Sequence, residues 1–162
     1  MKTKLISGII AAVMAIVIFG DTAYACEKGS GRTETNKQTY YISGLKKGDM
    51  MLWDVCSQCS NTFSVTIKDD NKTYASIEKD DYVTDLKMLS HESALYEGGK
   101  NLRIEVEFTD PNVTIKTANA SGAIKNEQKK TIGYLYNYSL EDGTDADYND
   151  ASISITSWKQ QG

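Results

Sequence analysis

The feature that most constrains the fold of this chain is the alternation of apolar and polar residues along several short segments. In TFSVTIK, Phe63, Val65 and Ile67 fall on one face, and in NLRIEVEF apolar residues recur at every second position from Leu102 to Phe108. A period of two, rich in β-branched and aromatic residues, is typical of a strand with one buried face. NVTIKTA, TIGYLYNYS and ASISITSW continue the pattern, so all five segments are predicted to be half-buried strands.

Turn signals separate these segments, among them GLKKGD, KDDNK, EGGKN, TDPN and EDGTD. Glycine, proline, asparagine and aspartate favour turns because they tolerate or impose the backbone angles that turns require. Short strands and turns at this spacing predict an all-β domain, an antiparallel β-sandwich of about nine strands. Residues 80–96 are ambiguous, because their apolar positions fit either one short helix or two irregular strands.

The N-terminal segment has the three-part layout of a secretory signal peptide. Lys2 and Lys4 precede an apolar run, and small residues stand at Ala23 and Ala25. We therefore expect cleavage after residue 25, which places the protein outside the cell, in the periplasm or on the cell surface. Residues 26–38 are polar and without periodicity, so they are predicted to be a flexible leader. Residues 39–162 remain as the folded domain, with no membrane insertion expected after the signal peptide is removed.

Charge and histidine content narrow the classes of function. The formal net charge is −4 at pH 7, and an acidic chain of this kind is a poor candidate for binding nucleic acid or an anionic membrane. The only histidine is His91, which removes most metal sites built from several histidines.

Three cysteines are present, at positions 26, 56 and 59. In an oxidising compartment a disulfide between Cys56 and Cys59 is favoured, closing the short loop CSQC. A redox-active CxxC motif usually opens a helix beside a βαβ unit, whereas the surroundings here indicate strands. A zinc site would need two further ligands at suitable spacing. Cys26 has three interpretations: a lipid-modified first residue, an intermolecular bridge, or a free thiol.

The sequence EDGTDADYND, residues 141–150 and hereafter the acid loop, carries five carboxylic acids and no basic residue. Like charges so close together raise one another's pKa unless a cation lies among them. Hard oxygen ligands without a nearby histidine or thiolate favour calcium. Two adjacent calcium ions would nearly balance the five acids. The spacing of the loop departs from an EF-hand, because Asp150 and Thr156 stand where that motif has glycine and glutamate.

LEDGTDADYNDASISI resembles the signature of the calcium-dependent fucose-binding lectin II family, small bacterial lectins with a β-sandwich fold. Members hold two adjacent calcium ions that coordinate hydroxyls of a bound fucose or mannose-type sugar. The similarity is nearly residue for residue over 141–151, and it extends much more weakly across the domain from about Tyr40. Family members end in a glycine whose carboxylate reaches a calcium ion of the neighbouring subunit, and this chain ends in Gly162.

The resemblance implies a set of site residues. The implied calcium ligands are Glu141, Asp145, Asp147, Asn149, Asp150 and Gly162. The implied sugar-contacting residues are Asp142, Asp145, Asp147, Asn149 and Asp150, with Ser57 and Gln58 in the segment that corresponds to the family's specificity loop. The resemblance further implies two calcium ions per subunit, a homodimer or homotetramer, and glycans bearing fucose or mannose as partners.

Two other classes of function compete with a lectin. A structural adhesin or matrix module would use calcium only to make the loop rigid, without binding sugar. A glycoside hydrolase would need two of these carboxylates as general acid and base, which acids saturated by calcium cannot provide. The sequence therefore predicts a binding protein and not an enzyme.

Overall fold

The computed structural model describes residues 35–143 and 145–160. Nine β-strands and no helix are found there. The strands are β1 Lys37–Tyr41, β2 Met50–Ser57, β3 Phe63–Lys68, β4 Thr73–Lys79, β5 Lys87–Leu95, β6 Arg103–Phe108, β7 Lys116–Lys125, β8 Thr131–Glu141 and β9 Ala151–Trp158. In this part of the chain, no helix is long and apolar enough to cross a membrane. The signal peptide predicted for residues 1–25, and Cys26, lie outside the described residues.

The strands form two antiparallel sheets that enclose the core. One sheet has the order β1-β6-β3-β4 and the other the order β5-β2-β9-β8-β7. The prediction of an antiparallel β-sandwich is confirmed. The alternation read from the sequence corresponds to the buried face of each strand: Phe63, Val65 and Ile67 of β3 are buried, and Ile153 and Ile155 of β9 are fully buried in the opposite sheet. Burial of these apolar faces is the main favourable contribution to folding.

Three segments differ from their predicted structure. β1 begins at Lys37, inside the segment predicted as a leader, because Asn36 and Gln38 are tied to β6 through backbone and side-chain hydrogen bonds and strand pairing. Residues 80–96 form neither a helix nor two strands; they comprise a loop over residues 80–86 and the single strand β5. In NVTIKTA the strand starts only at Lys116, after turn and irregular residues at 111–115.

Three loops lie close to one another at one end of the sandwich. Ser57, the last residue of β2, pairs with Ala151, the first residue of β9, so the β2–β3 loop (residues 58–62) lies beside the acid loop. Lys79, the last residue of β4, pairs with Phe63 at the start of β3, which brings residues 80–86 to the same end. We call residues 80–86 the rim segment.

Candidate metal centre and sugar site

The acid loop connects β8 to β9, and its first acid is held inside the protein. Glu141 is fully buried, and its carboxylate accepts hydrogen bonds from the backbone N–H groups of Gly143 (2.9 Å) and Tyr148 (3.2 Å). Burial alone would raise the pKa of Glu141, but these two N–H donors, together with a hydrogen bond with Asp145 and the charge of Lys116, outweigh it and the pKa is lowered. Glu141 is therefore an ionised anchor that folds the loop around its carboxylate.

The backbone of the loop is strained at two positions. Ala146 and Tyr148 have φ angles of 59° and 55°, in the left-handed region that costs a residue with a side chain about 1–2 kcal/mol. The two strained residues flank Asp147 in the chain. Backbone strain of this kind persists where the surrounding contacts hold it, and it clusters at ligand sites. Here the hydrogen bond from Tyr148 to Glu141 is one such contact.

Two groups of potential metal ligands form at this end of the sandwich. Glu141, Asp145 and Asp147 each offer an oxygen, and these atoms lie within 4.8 Å of one another. Oxygens of Asp142 and Asp150 and the sulfur of Cys59 meet the same criterion. The five acids predicted as one set are thus divided into a group of three and a group of two, the second joined by a thiol.

The charges in both groups repel one another. The pKa of Asp145 is raised, first by its hydrogen bond with Glu141 and then by the charges of Asp147 and Glu141. Burial and the neighbouring acids raise the pKa of Asp150 to about 7, although the backbone N–H of Asp142 donates a hydrogen bond of 2.6 Å to it. Within residues 35–143 and 145–160, no lysine or arginine forms an ion pair with an acid of the loop.

Hard carboxylate oxygens at this density suit calcium. The two exposed acids, Asp145 and Asp147, face solvent and are accessible to an ion. Asn149 lies against Asp147, to which it donates hydrogen bonds from its backbone N–H (3.3 Å) and its side-chain amide (2.7 Å). The donor set therefore fits a hard cation, with Glu141, Asp145 and Asp147 as the group that would hold it most directly.

The β2–β3 loop is fastened to the acid loop. The backbone N–H of Gln58 donates to the carbonyl of Asn149 (3.2 Å), and the Ser57 hydroxyl donates to the carbonyl of Asp150 (2.8 Å). Ser57 is fully buried, which corrects the expectation that its side chain contacts sugar: it positions the acid loop instead. Gln58 is exposed at the site, as expected for a residue that contacts a ligand.

The predicted disulfide between Cys56 and Cys59 is not formed, and both thiols are free. Alternation along β2 places them apart: the sulfur of Cys56 lies 3.5 Å from that of Met88 on β5, whereas Cys59 is buried beside Ser57 and Asn61. Burial is the main cause that raises the pKa of Cys59, so this residue remains a protonated thiol at neutral pH.

An open depression of about 470 Å³ lies over the acid loop. Its walls come from all three loops: Gln58, Cys59 and Ser60 from the β2–β3 loop, Thr84 from the rim segment, and residues of the acid loop. Asn61 lies nearby and donates a hydrogen bond of 2.9 Å to Asp142. Sequence reasoning missed Asn61 and Thr84 as site residues, and it assigned Cys59 to a disulfide and not to the group of potential ligands. Gly162 lies outside the described residues, so its predicted role stays a prediction.

Comparison with known proteins identifies solved structures with a similar fold. No protein-family model matches the chain, and no curated protein matches its sequence. Among solved structures, a high-affinity mannose-binding lectin of Ralstonia solanacearum is similar, with a TM-score of 0.52 and 18% identity over 76% of this chain and 96% of that chain. A Chromobacterium violaceum lectin in complex with alpha-methyl-fucoside has a TM-score of 0.50 and 18% identity over the same shares. At this identity the similarity concerns the fold, and the chain has the β-sandwich fold of these bacterial lectins.

Proposed function

We propose that this protein is a calcium-dependent lectin that binds fucose- or mannose-type sugars at the depression over the acid loop. The observation that carries the proposal is the convergence of five acids, two of them exposed, at an open depression on a lectin-like sandwich. The similar structures support the sugar class, because one is a mannose-binding lectin and the other contains a fucoside.

Different residues would hold the two calcium ions and bind the sugar hydroxyls. Glu141, Asp145 and Asp147 would hold one calcium ion, and Asp142, Asn149 and Asp150 offer oxygens for a second. When bound, calcium supplies coordination positions that vicinal sugar hydroxyls can occupy in place of water. The carboxylates of the exposed acids accept hydrogen bonds from the same hydroxyls, and such charge-assisted hydrogen bonds are stronger than neutral ones.

The proposal includes no catalytic step. Acids committed to a cation cannot also donate and accept the protons that glycoside hydrolysis requires. We expect the bound sugar to dissociate unchanged. We also propose export through the predicted signal peptide and assembly into a homodimer or homotetramer, and sedimentation of the secreted protein would measure the latter.

The decisive experiment is titration calorimetry with alpha-methyl-fucoside and alpha-methyl-mannoside, in calcium and again in excess EDTA. We expect binding of one or both sugars in calcium, complete loss in EDTA, and recovery when calcium is restored. A protein that gains thermal stability with calcium and binds neither sugar, nor any glycan on an array, would instead be a structural calcium module.

A further inference from the structure

The rim segment reaches the depression through Thr84 and exposes three apolar side chains. Thr84 lines the depression, and in the same segment Tyr82, Val83 and Leu86 are 78%, 49% and 73% exposed. Single exposed apolar residues are common on protein surfaces, whereas several within one short loop indicate a surface that contacts something. Because Thr84 of the same short segment lines the depression, a ligand attached to the proposed sugar site is the natural candidate.

The base of the rim segment is held by ion pairs. Asp81 pairs through one carboxylate oxygen with Lys79 (3.2 Å) and through the other with Lys87 (2.5 Å). Lys79 is fully buried, and its ammonium group also donates to the carbonyl of Asp81 (2.6 Å). The two ends of the segment are thereby tied to β4 and to β5. The residues between these two ends are therefore held in place by contacts on both sides.

The same contacts connect the rim segment to the acid loop. The ammonium group of Lys79 donates to the carbonyl of Asn61 (3.2 Å), and the side-chain amide of Asn61 donates to Asp142 (2.9 Å). A continuous chain of hydrogen bonds and ion pairs therefore runs from Lys87 to the acid loop. Because a buried lysine needs its partners, this connection ties the base of the rim segment to the acid loop.

We propose that the rim segment forms an apolar subsite, with Tyr82 as its principal contact, for the group attached to the sugar in the calcium site. This inference rests on the proposed lectin function. A pyranose ring has an apolar face of C–H groups, and an aromatic side chain offers a large rigid surface on which such a face packs. The subsite selects glycosides that extend beyond one sugar with a second pyranose or an aryl group, which share this apolar chemistry.

The test compares Tyr82→Ala with wild type in calcium for three ligands: a methyl glycoside, a disaccharide with the same terminal sugar, and its p-nitrophenyl glycoside. We expect the variant to bind the methyl glycoside within about twofold of wild type. Affinity for at least one extended ligand should fall roughly three- to tenfold, the size typical of one aromatic contact. The ligand that loses affinity identifies the attached group as pyranose or aryl.

Tyr41→Ala is the matched control, because Tyr41 is 61% exposed and lies on β1, at the opposite edge of the sheet from β4. Tyr82→Phe should retain wild-type affinity, since stacking does not need the hydroxyl. Equal affinities of wild type and Tyr82→Ala for both extended ligands would overturn the subsite, as would a change in oligomeric state with unchanged sugar binding. Wild type that fails to bind the methyl glycoside would refute the lectin function itself.

Discussion

Two turns of this molecule enclose buried carboxylates, and the pKa values of Asp69 in one turn and Asp150 in the other are shifted in opposite directions. At the β3–β4 turn, Asp69 is buried and accepts hydrogen bonds from the N–H groups of Asn71 (2.7 Å) and Lys72 (2.8 Å) and from the Tyr74 hydroxyl (2.9 Å). Burial raises its pKa, but the donors more than compensate and the pKa is lowered. In the acid loop, repulsion and burial win at Asp150, whose pKa is raised.

The difference separates a structural carboxylate from one in the proposed cation site. Asp69 receives enough hydrogen bonds from the residues that follow it in the chain. Gly99 also packs against it, so closely that a Cβ at that position would come within 2.2 Å of the carboxyl carbon of Asp69. Such a carboxylate stabilises the fold without any bound ligand. The acid loop gathers more negative charge than its backbone donors compensate, which is the condition that a bound cation relieves.

The largest effect should come from Asp69→Ala. The substitution leaves two backbone N–H groups and a tyrosine hydroxyl without their acceptor, and we expect it to lower the free energy of unfolding by about 3 kcal/mol. Calcium affinity should not change, because the turn takes no part in the site. Chemical denaturation in EDTA measures the first quantity and calorimetry the second. Glu78→Ala, at an exposed position of β4, is the control.

The same variant has a pH signature. Because the pKa of Asp69 is lowered in the folded state, its contribution is complete above the ordinary value of 3.8 and is lost as the pH falls through the lower folded value. The stability gap between wild type and Asp69→Ala should therefore be constant near neutral pH and narrow below about pH 4. A gap that widens in acid would contradict the donor arrangement described for this turn.

Asp147→Asn should weaken calcium binding without lowering stability, the reverse of what we expect for Asp69→Ala. Removing one ligand charge should weaken calcium binding about a hundredfold and remove sugar binding at ordinary calcium concentrations. In EDTA the variant should be at least as stable as wild type, because Asp147 repels its neighbours there. Glu127→Gln, exposed in the β7–β8 hairpin, removes one negative charge elsewhere and should change neither property. Loss of stability in EDTA would show that Asp147 is structural.

Ser57→Ala should have the smallest effect, and it should lower both stability and calcium affinity. Its buried hydroxyl supports the carbonyl of Asp150, so its loss should cost about 1 kcal/mol of stability and weaken calcium binding a few-fold by loosening the loop. Ser152→Ala on the exposed face of β9 should be neutral. Unchanged calcium affinity in a destabilised Ser57→Ala protein would separate the β2–β3 loop from the site.

The alternation of apolar and polar residues predicted the strands that have one buried face. It misplaced a strand whose residues are nearly all exposed. β3, β6 and β9 alternate cleanly because each packs one face on the core. β7 lies at a sheet edge with nearly every residue exposed, so no burial period marks it, and its start was misplaced. In β2 the half-buried Leu52 stands among the buried residues Met51 and Trp53 and obscures the alternation.

For the site, the sequence located the acids but not their grouping. The acids are neighbours in the chain, so their proximity follows from local spacing. Cys59 and Asn61 reach them only through the pairing of β2 with β9, across some ninety positions of sequence, which local reasoning does not see. The predicted disulfide failed for a related reason: strand alternation sends Cys56 to the opposite face from Ser57, and the short spacing of the two cysteines does not reveal this.

The attachment of the β2–β3 loop has a consequence for engineering. Gln58 is fixed to the acid loop by its backbone N–H, and the side chains that take part in the attachment are those of the buried Ser57 and of Asn61. The exposed side chains of Gln58 and Ser60 therefore carry none of the framework. Positions 58 and 60 can be randomised together in a display library and selected for altered sugar binding, with the acid loop still held in place.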